Sequence, residues 1–139
     1  MEPCPYDVTE ILYHAPPMIL IERVLSYDAE TVTSIVDITE RTPFLAADAV
    51  PAYVGIEYMA QSIAAYSGIM ARNAGGEVKI GYLVSTRNMK LGCPSFAIGE
   101  RLKITVKLVY NEAPMAVFDG RIERDEKLVA EARLNVYQP

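Results

Sequence analysis

Apolar and polar residues alternate with a period of two over the last third of the chain. Leu102, Ile104, Val106 and Leu108 interleave with Arg101, Lys103, Thr105 and Lys107. Leu128, Ala130, Ala132, Leu134 and Val136 interleave with Lys127, Val129, Glu131, Arg133 and Asn135. Successive side chains of a strand point to opposite faces, so each run predicts a strand with one face turned inward. Met115 to Arg124 predicts the strand between them, with Gly120 as a bulge or curved point. Asn111 to Pro114 and Asp125-Glu126 fit the hairpin connections. Towards the N-terminus, Met18 to Tyr27 and Thr31 to Thr39 predict two further strands around the turn Asp28 to Glu30. Val78 to Leu91 starts like a strand and ends more polar.

A different pattern runs from Val50 to Ala74. Val54, Ile56, Met59, Ala60, Ile63, Ala64 and Ile69 cover most of a helix circumference, so this helix belongs in a core or a membrane. Pro51 suits the helix start, and Asn73, Gly75 and Gly76 suit its end. The run contains Glu57, Gln61, Ser62 and Ser67 and has no Lys/Arg cluster on one flank, which favours a helix wrapped by sheet over a membrane span. Glu57 is the one charge before Arg72, and Gln61 shares its face one turn along. A buried acid beside an amide is the chemical feature this predicts. A short helix is predicted from Asp7 to Tyr13, capped by Asp7 and Glu10 and broken by Pro16 and Pro17. The element order is short helix, two strands, long helix and about four strands, which makes an α+β chain: one antiparallel sheet wrapped around one central helix. That layout is the hot-dog fold.

Composition narrows the function. The 139 residues fit a single domain spanning 1–139. A net charge of −5 argues against a nucleic-acid partner. Cys4, Cys93 and the single His14 have no metal-ligand spacing, so no metal or cofactor is expected and no disulfide framework either. The N-terminus is acidic without an apolar signal core, giving a cytoplasmic expectation.

The motifs carry a resemblance. His14-Ala-Pro-Pro-Met-Ile-Leu-Ile-Glu-Arg-Val24 resembles Pro-His-Arg-Tyr-Pro-Phe-Leu-Leu-Val-Asp-Arg-Val of the bacterial 3-hydroxyacyl-(acyl carrier protein) dehydratases. Val50-Pro-Ala-Tyr-Val-Gly-Ile-Glu-Tyr-Met-Ala-Gln61 resembles their Met-Pro-Gly-Val-Leu-Ile-Ile-Glu-Ala-Met-Ala-Gln. Pro94 and Gly99-Glu100 are similar to the loop before their next strand. A divergent subgroup of the aryl-polyene type fits too. The resemblance implies a double hot-dog dimer, homo- or heterodimeric, with sites at its interface. The acyl chain of a thioester on acyl carrier protein or coenzyme A would enter between the subunits. It makes Glu57 the catalytic acid, oriented by Gln61. It aims the Ala52 N–H at the thioester carbonyl and puts Tyr53, Phe44 and Pro43 against the substrate.

One departure matters. In the family a His precedes the acid by fourteen residues; here that position is Pro43, followed by Phe44. Half of the acid–base pair that dehydration needs is absent from its usual place. His14 is a loop residue shaping the tunnel or a replacement base. Three functions stay open: a dehydratase-like subunit of a composite site, a thioesterase using Glu57 with no His, and a non-catalytic acyl-binding partner.

Overall fold

The computed structural model describes residues 1–14 and 18–139. The break expected at Pro16 and Pro17 lies outside them. The chain runs β1 (Glu2–Pro3), α1 (Val8–Ile11), β2 (Arg23–Tyr27), β3 (Thr31–Asp37), β4 (Ala49–Pro51), a 3-10 turn (Ala52–Val54) and α2 (Gly55–Asn73). Then follow β5 (Tyr82–Leu91), β6 (Ser95–Ala97), β7 (Arg101–Glu112), β8 (Met115–Arg124) and β9 (Lys127–Tyr137). Seven strands form an antiparallel sheet in the order β1-β2-β3-β7-β8-β9-β5, and β4 pairs with β6 apart from it. This is the expected hot-dog layout, and α2 packs on β3, β7 and β8.

The period-2 reading holds where it was strongest. Leu102, Ile104, Val106, Ala130, Ala132 and Leu134 are buried, while their neighbours Arg101, Lys103 and Lys107 face water. Leu128 is an exception and is exposed. Gly120 is not a bulge. It pairs in register with Val106 and Ala132, and a Cβ there would lie 2.7 Å from the Met59 sulfur. It is bare because α2 lies directly on it.

Two sequence expectations change. The strand expected from Met18 begins only at Arg23. Before it, the Gln61 side chain takes the place of a neighbouring strand: Oε1 accepts from Leu20 N–H at 2.7 Å, and Nε2 donates to the Met18 carbonyl at 2.6 Å. The long helix starts later than Val50, because Ala49–Pro51 pair with β6 before the chain turns into it. The α1 helix ends at Ile11, earlier than Tyr13, and the Asp7 N–H donates to Glu10 Oε1 at 2.9 Å as the capping pattern requires.

The β8–β9 hairpin offers a direct test of backbone strain. Asp125 and Glu126 sit at φ 52° and 64°, the left-handed pair of a two-residue turn in which glycine is favoured at the second position. Left-handed backbone costs a non-glycine residue about 1–2 kcal/mol. Glu126→Gly is therefore expected to stabilise the protein by roughly 1 kcal/mol, read as a higher urea midpoint with an unchanged slope.

Candidate active site

One face of α2 is left uncovered by the sheet. Tyr58, Met59, Ser62, Ile63 and Ile69 are buried against the strands, whereas Glu57 is exposed and Ala60 and Ala64 are half-buried. The expectation of a buried acid is thus corrected for the single chain. The helix is apolar nearly all round, but one sheet covers only part of its circumference. Among the described residues Glu57 makes no hydrogen bond or ion pair. Its carboxylate is available for chemistry.

Glu57, His14 and Gln61 line one cavity of about 160 Å³, together with Tyr82 and Leu83 of β5. The sequence placed His14 and Glu57 in separate motifs; the fold brings both to the same hollow. No hydrogen bond joins them among the described residues. Gln61 is 4% exposed, and its bonds run to Met18, Leu20 and Ile21. Among the described residues it makes no hydrogen bond to Glu57, the group the motif gives it to orient; it ties Met18, Leu20 and Ile21 to the helix. A buried amide uses its bonding capacity wherever partners are near, and here these are backbone groups.

The Ala52 expectation is corrected as well. Its N–H donates to the Pro94 carbonyl at 3.0 Å, so it is spent on the β4–β6 side of the fold. Ala52 is buried, while Tyr53 beside it is 66% exposed. Pro43 is half-buried and Phe44 is 53% exposed at φ 70°. None of Pro43, Phe44, Ala52 and Tyr53 is among the described residues lining the Glu57 cavity. Pro43 and Phe44 lie in the loop before β4, and Ala52 and Tyr53 at the entry to α2, about one turn before Glu57.

Other polar groups have structural work. The Ser34 and Ser62 hydroxyls meet at 2.6 Å in the core, and Ser62 also donates to the Tyr58 carbonyl at 2.8 Å. Desolvation pushes the Tyr58 hydroxyl up to about 12, and it has no partner among the described residues. Arg101 forks onto Asp37 at 2.6 and 2.9 Å, and Lys90 lies 3.7 Å from Glu131, so these strand cations are engaged away from Glu57. Burial raises the Cys4 thiol, which makes it a poor nucleophile. No group of three metal-ligating side chains occurs among the described residues, and no described helix is long and apolar enough to cross a membrane. Lys79, Tyr82, Leu83 and Gln138 at the cavity were not singled out from the sequence. Each reads there as an ordinary strand or loop residue; the β5–β9 pairing carries Tyr82 and Leu83 to the cavity, and Gln138 Nε2 donates to the Lys79 carbonyl at 3.2 Å beside them.

Comparisons with known proteins give a dehydratase family for the chain and a fold that is shared more widely. A family model described as ApeP dehydratase matches residues 6–139. The 3-hydroxyacyl-[acyl-carrier-protein] dehydratase FabZ of Bartonella quintana is 31% identical over 134 residues, covering 92% of this chain and 84% of that protein. A chain of the dehydratase heterocomplex ApeI:P from Xenorhabdus doucetiae superposes with a TM-score of 0.93 at 29% identity, covering 98% of this chain and 93% of that one. A hypothetical thioesterase from Streptococcus pneumoniae, solved with coenzyme A, shares the fold at a TM-score of 0.62 and 13% identity over 84% of each chain.

Proposed function

Because the chain belongs to the ApeP-like dehydratase family, we propose that its Glu57 face is one half of a composite 3-hydroxyacyl-thioester dehydratase site, completed by a second hot-dog subunit. The observation that carries this is Glu57 itself. It stands without a hydrogen-bond or ion-pair partner among the described residues, on the uncovered face of α2, in a chain whose family-position His is Pro43. The likeness to a chain of the ApeI:P heterocomplex supports a hot-dog partner for that face.

Dehydration removes a proton from C2 and expels the C3 hydroxyl as water, leaving an enoyl thioester. The partner's His takes the C2 proton. Glu57, protonated, gives its proton to the departing hydroxyl, and the two groups exchange the balance through solvent before the next turnover. Oxyanion character on the thioester carbonyl needs a fixed donor. The Ala52 N–H is committed to the Pro94 carbonyl and does not supply it. Substrate arrives on acyl carrier protein or coenzyme A.

The test is hydration of a crotonyl thioester by the purified chain, alone and mixed with a His-bearing hot-dog subunit. The mixture is expected to exceed the sum of its parts by about 10²-fold or more, the usual worth of a placed general base. A second reading rests on a separate observation, that His14 lines the Glu57 cavity within one chain. Full activity of the chain alone, abolished by His14→Ala, would establish that reading and remove the composite one. Thiol release without hydration would instead point to thioester hydrolysis.

A further inference from the structure

The face of the sheet turned away from α2 carries an excess of positive charge. Leu102, Ile104 and Val106 of β7, Phe118 and Ile122 of β8, and Ala130, Ala132 and Leu134 of β9 are buried on the helix side. The residues that alternate with them therefore point outward. In register across these strands, Lys103 lies beside Glu123, Arg121 beside Glu131, and Asp119 beside both Lys107 and Arg133. The flanking strands extend the rows, with Asp37 of β3 beside Arg101, and Arg87 and Lys90 of β5 beside Arg133 and Glu131. This block holds seven basic residues and four carboxylates. Set against the chain's 13 Lys and Arg and 18 Asp and Glu, that leaves six basic residues and fourteen acids elsewhere. A chain of net charge −5 is thus divided into a positive face and a strongly negative body.

Three of the four carboxylates on this face are already taken. Asp37 holds Arg101 and Asp119 holds Arg133 in forked pairs, and Glu131 lies 3.7 Å from Lys90. Arg87, Lys103, Lys107 and Arg121 are exposed and have no ion-pair partner among the described residues. Arg87 also stands directly opposite Arg133 across the β5–β9 pairing. Like charges placed so on a sheet are destabilising, and an anion from outside relieves the repulsion. Neighbouring strands lie about 4.8 Å apart, so the row from Lys107 through Asp119 and Arg133 to Arg87 is about 14 Å wide. Cations spread so widely meet several separate anions, not one. Along the same face the cations give way to Tyr110, in register with Val117, and to Met115, both exposed. Tyrosine beside basic residues is the composition of a surface at the headgroup level of a bilayer.

We propose that this outer face docks on an anionic phospholipid surface, with Arg87, Lys103, Lys107 and Arg121 at lipid phosphates and Tyr110 and Met115 in the headgroup layer. The charge division gives the docking its orientation, because the face is attracted to such a surface while the acidic body is repelled. The face lies on the far side of the sheet from α2, so docking leaves the Glu57 side free for substrate and a second subunit. The same placement disfavours an acidic thioester carrier as the occupant, because its substrate would have to pass around the sheet to reach Glu57. The proposal stands apart from the dehydratase reading and needs no turnover to test.

The experiment is sedimentation of the purified chain with vesicles of phosphatidylcholine alone and of phosphatidylcholine mixed with phosphatidylglycerol. Binding is expected to the mixed vesicles only, and it is expected to disappear at high salt, which screens the attraction. A basic residue near an anionic surface is worth about fivefold in binding, so Lys107→Gln combined with Arg121→Gln is expected to weaken it by about 25-fold. Both residues are exposed, and a melting curve checks that the double variant is folded. Tyr110→Ser is expected to weaken binding with the salt dependence unchanged. Arg41→Gln, an exposed change in the loop before β4, is expected to leave binding as it was. Failure to bind mixed vesicles, or binding that survives the double variant, would overturn the proposal. So would an equal loss per charge with Arg41→Gln, which would trace the binding to net charge alone. Failure on vesicles with capture of polyglutamate through Lys107 and Arg121 would make the face a site for an acidic protein and overturn it as well.

Discussion

In the complex with a His-bearing partner, Glu57→Gln is expected to lower dehydration by about 10²–10⁴-fold, almost entirely in kcat. The amide has nearly the shape of the acid and cannot donate and recover a proton near neutral pH. Folding is expected to be almost indifferent. Glu57 is exposed and makes no hydrogen bond among the described residues. Surface changes of that kind stay within about 0.5 kcal/mol. The measurement is single-turnover dehydration beside a melting curve. A variant with wild-type turnover and melting temperature would reduce Glu57 to a surface residue and would sink the composite site. Loss of turnover together with loss of the partner from the complex would make Glu57 an interface residue instead.

Gly68→Ala is expected to be the most destabilising small substitution in the chain. A Cβ at Gly68 would stand 1.8 Å from the Ile11 carbonyl oxygen and 2.7 Å from its carbon. The clash is with backbone, so no rotamer relieves it. Helix propensity works the other way, since alanine is favoured over glycine by about 1 kcal/mol in a helix interior. Overpacking costs about 1–3 kcal/mol where side chains can yield and more where they cannot. Here α1 must lift away from α2, taking Val8, Ile11 and Leu12 from the core. The clash wins, with a net loss of roughly 3 kcal/mol and a melting temperature lower by about 10 °C. An unchanged or higher melting temperature would show that α1 does not press on α2 in this way. Hydrogen exchange over residues 8–12 reports directly whether α1 has come loose.

The sheet was legible because strand periodicity is local. Leu102 to Leu108 and Leu128 to Val136 state their own inward face, and Asp125-Glu126 marks its own turn. The long helix was legible from its apolar circumference. What escaped depends on which distant group a residue meets. Gln61 looked like a partner for Glu57 because both lie on α2 one turn apart. Its bonds go to Met18, Leu20 and Ile21, some 40 residues earlier in the chain (separations of 43, 41 and 40). The same contact explains why Met18 to Ile21 is not strand. Ala52 looked free because nothing near it in sequence competes for its N–H; Pro94 does so through β4–β6 pairing. Glu57 reads as buried because its neighbours along α2 are apolar nearly all round, whereas one sheet covers only part of that circumference. His14 came to the same cavity through the fold alone.

The β5 strand has consequences for the cell as well as for the molecule. All ten of its residues are exposed, and it forms the outer edge of the large sheet with Tyr82, Leu83, Val84, Met89 and Leu91 facing water. An uncovered edge of that length invites pairing with any other strand. A chain synthesised in excess of whatever covers this edge is therefore a target for aggregation and proteolysis. Where the proposed hot-dog partner covers this edge, the chain's standing abundance would follow the supply of that partner more closely than its own rate of synthesis.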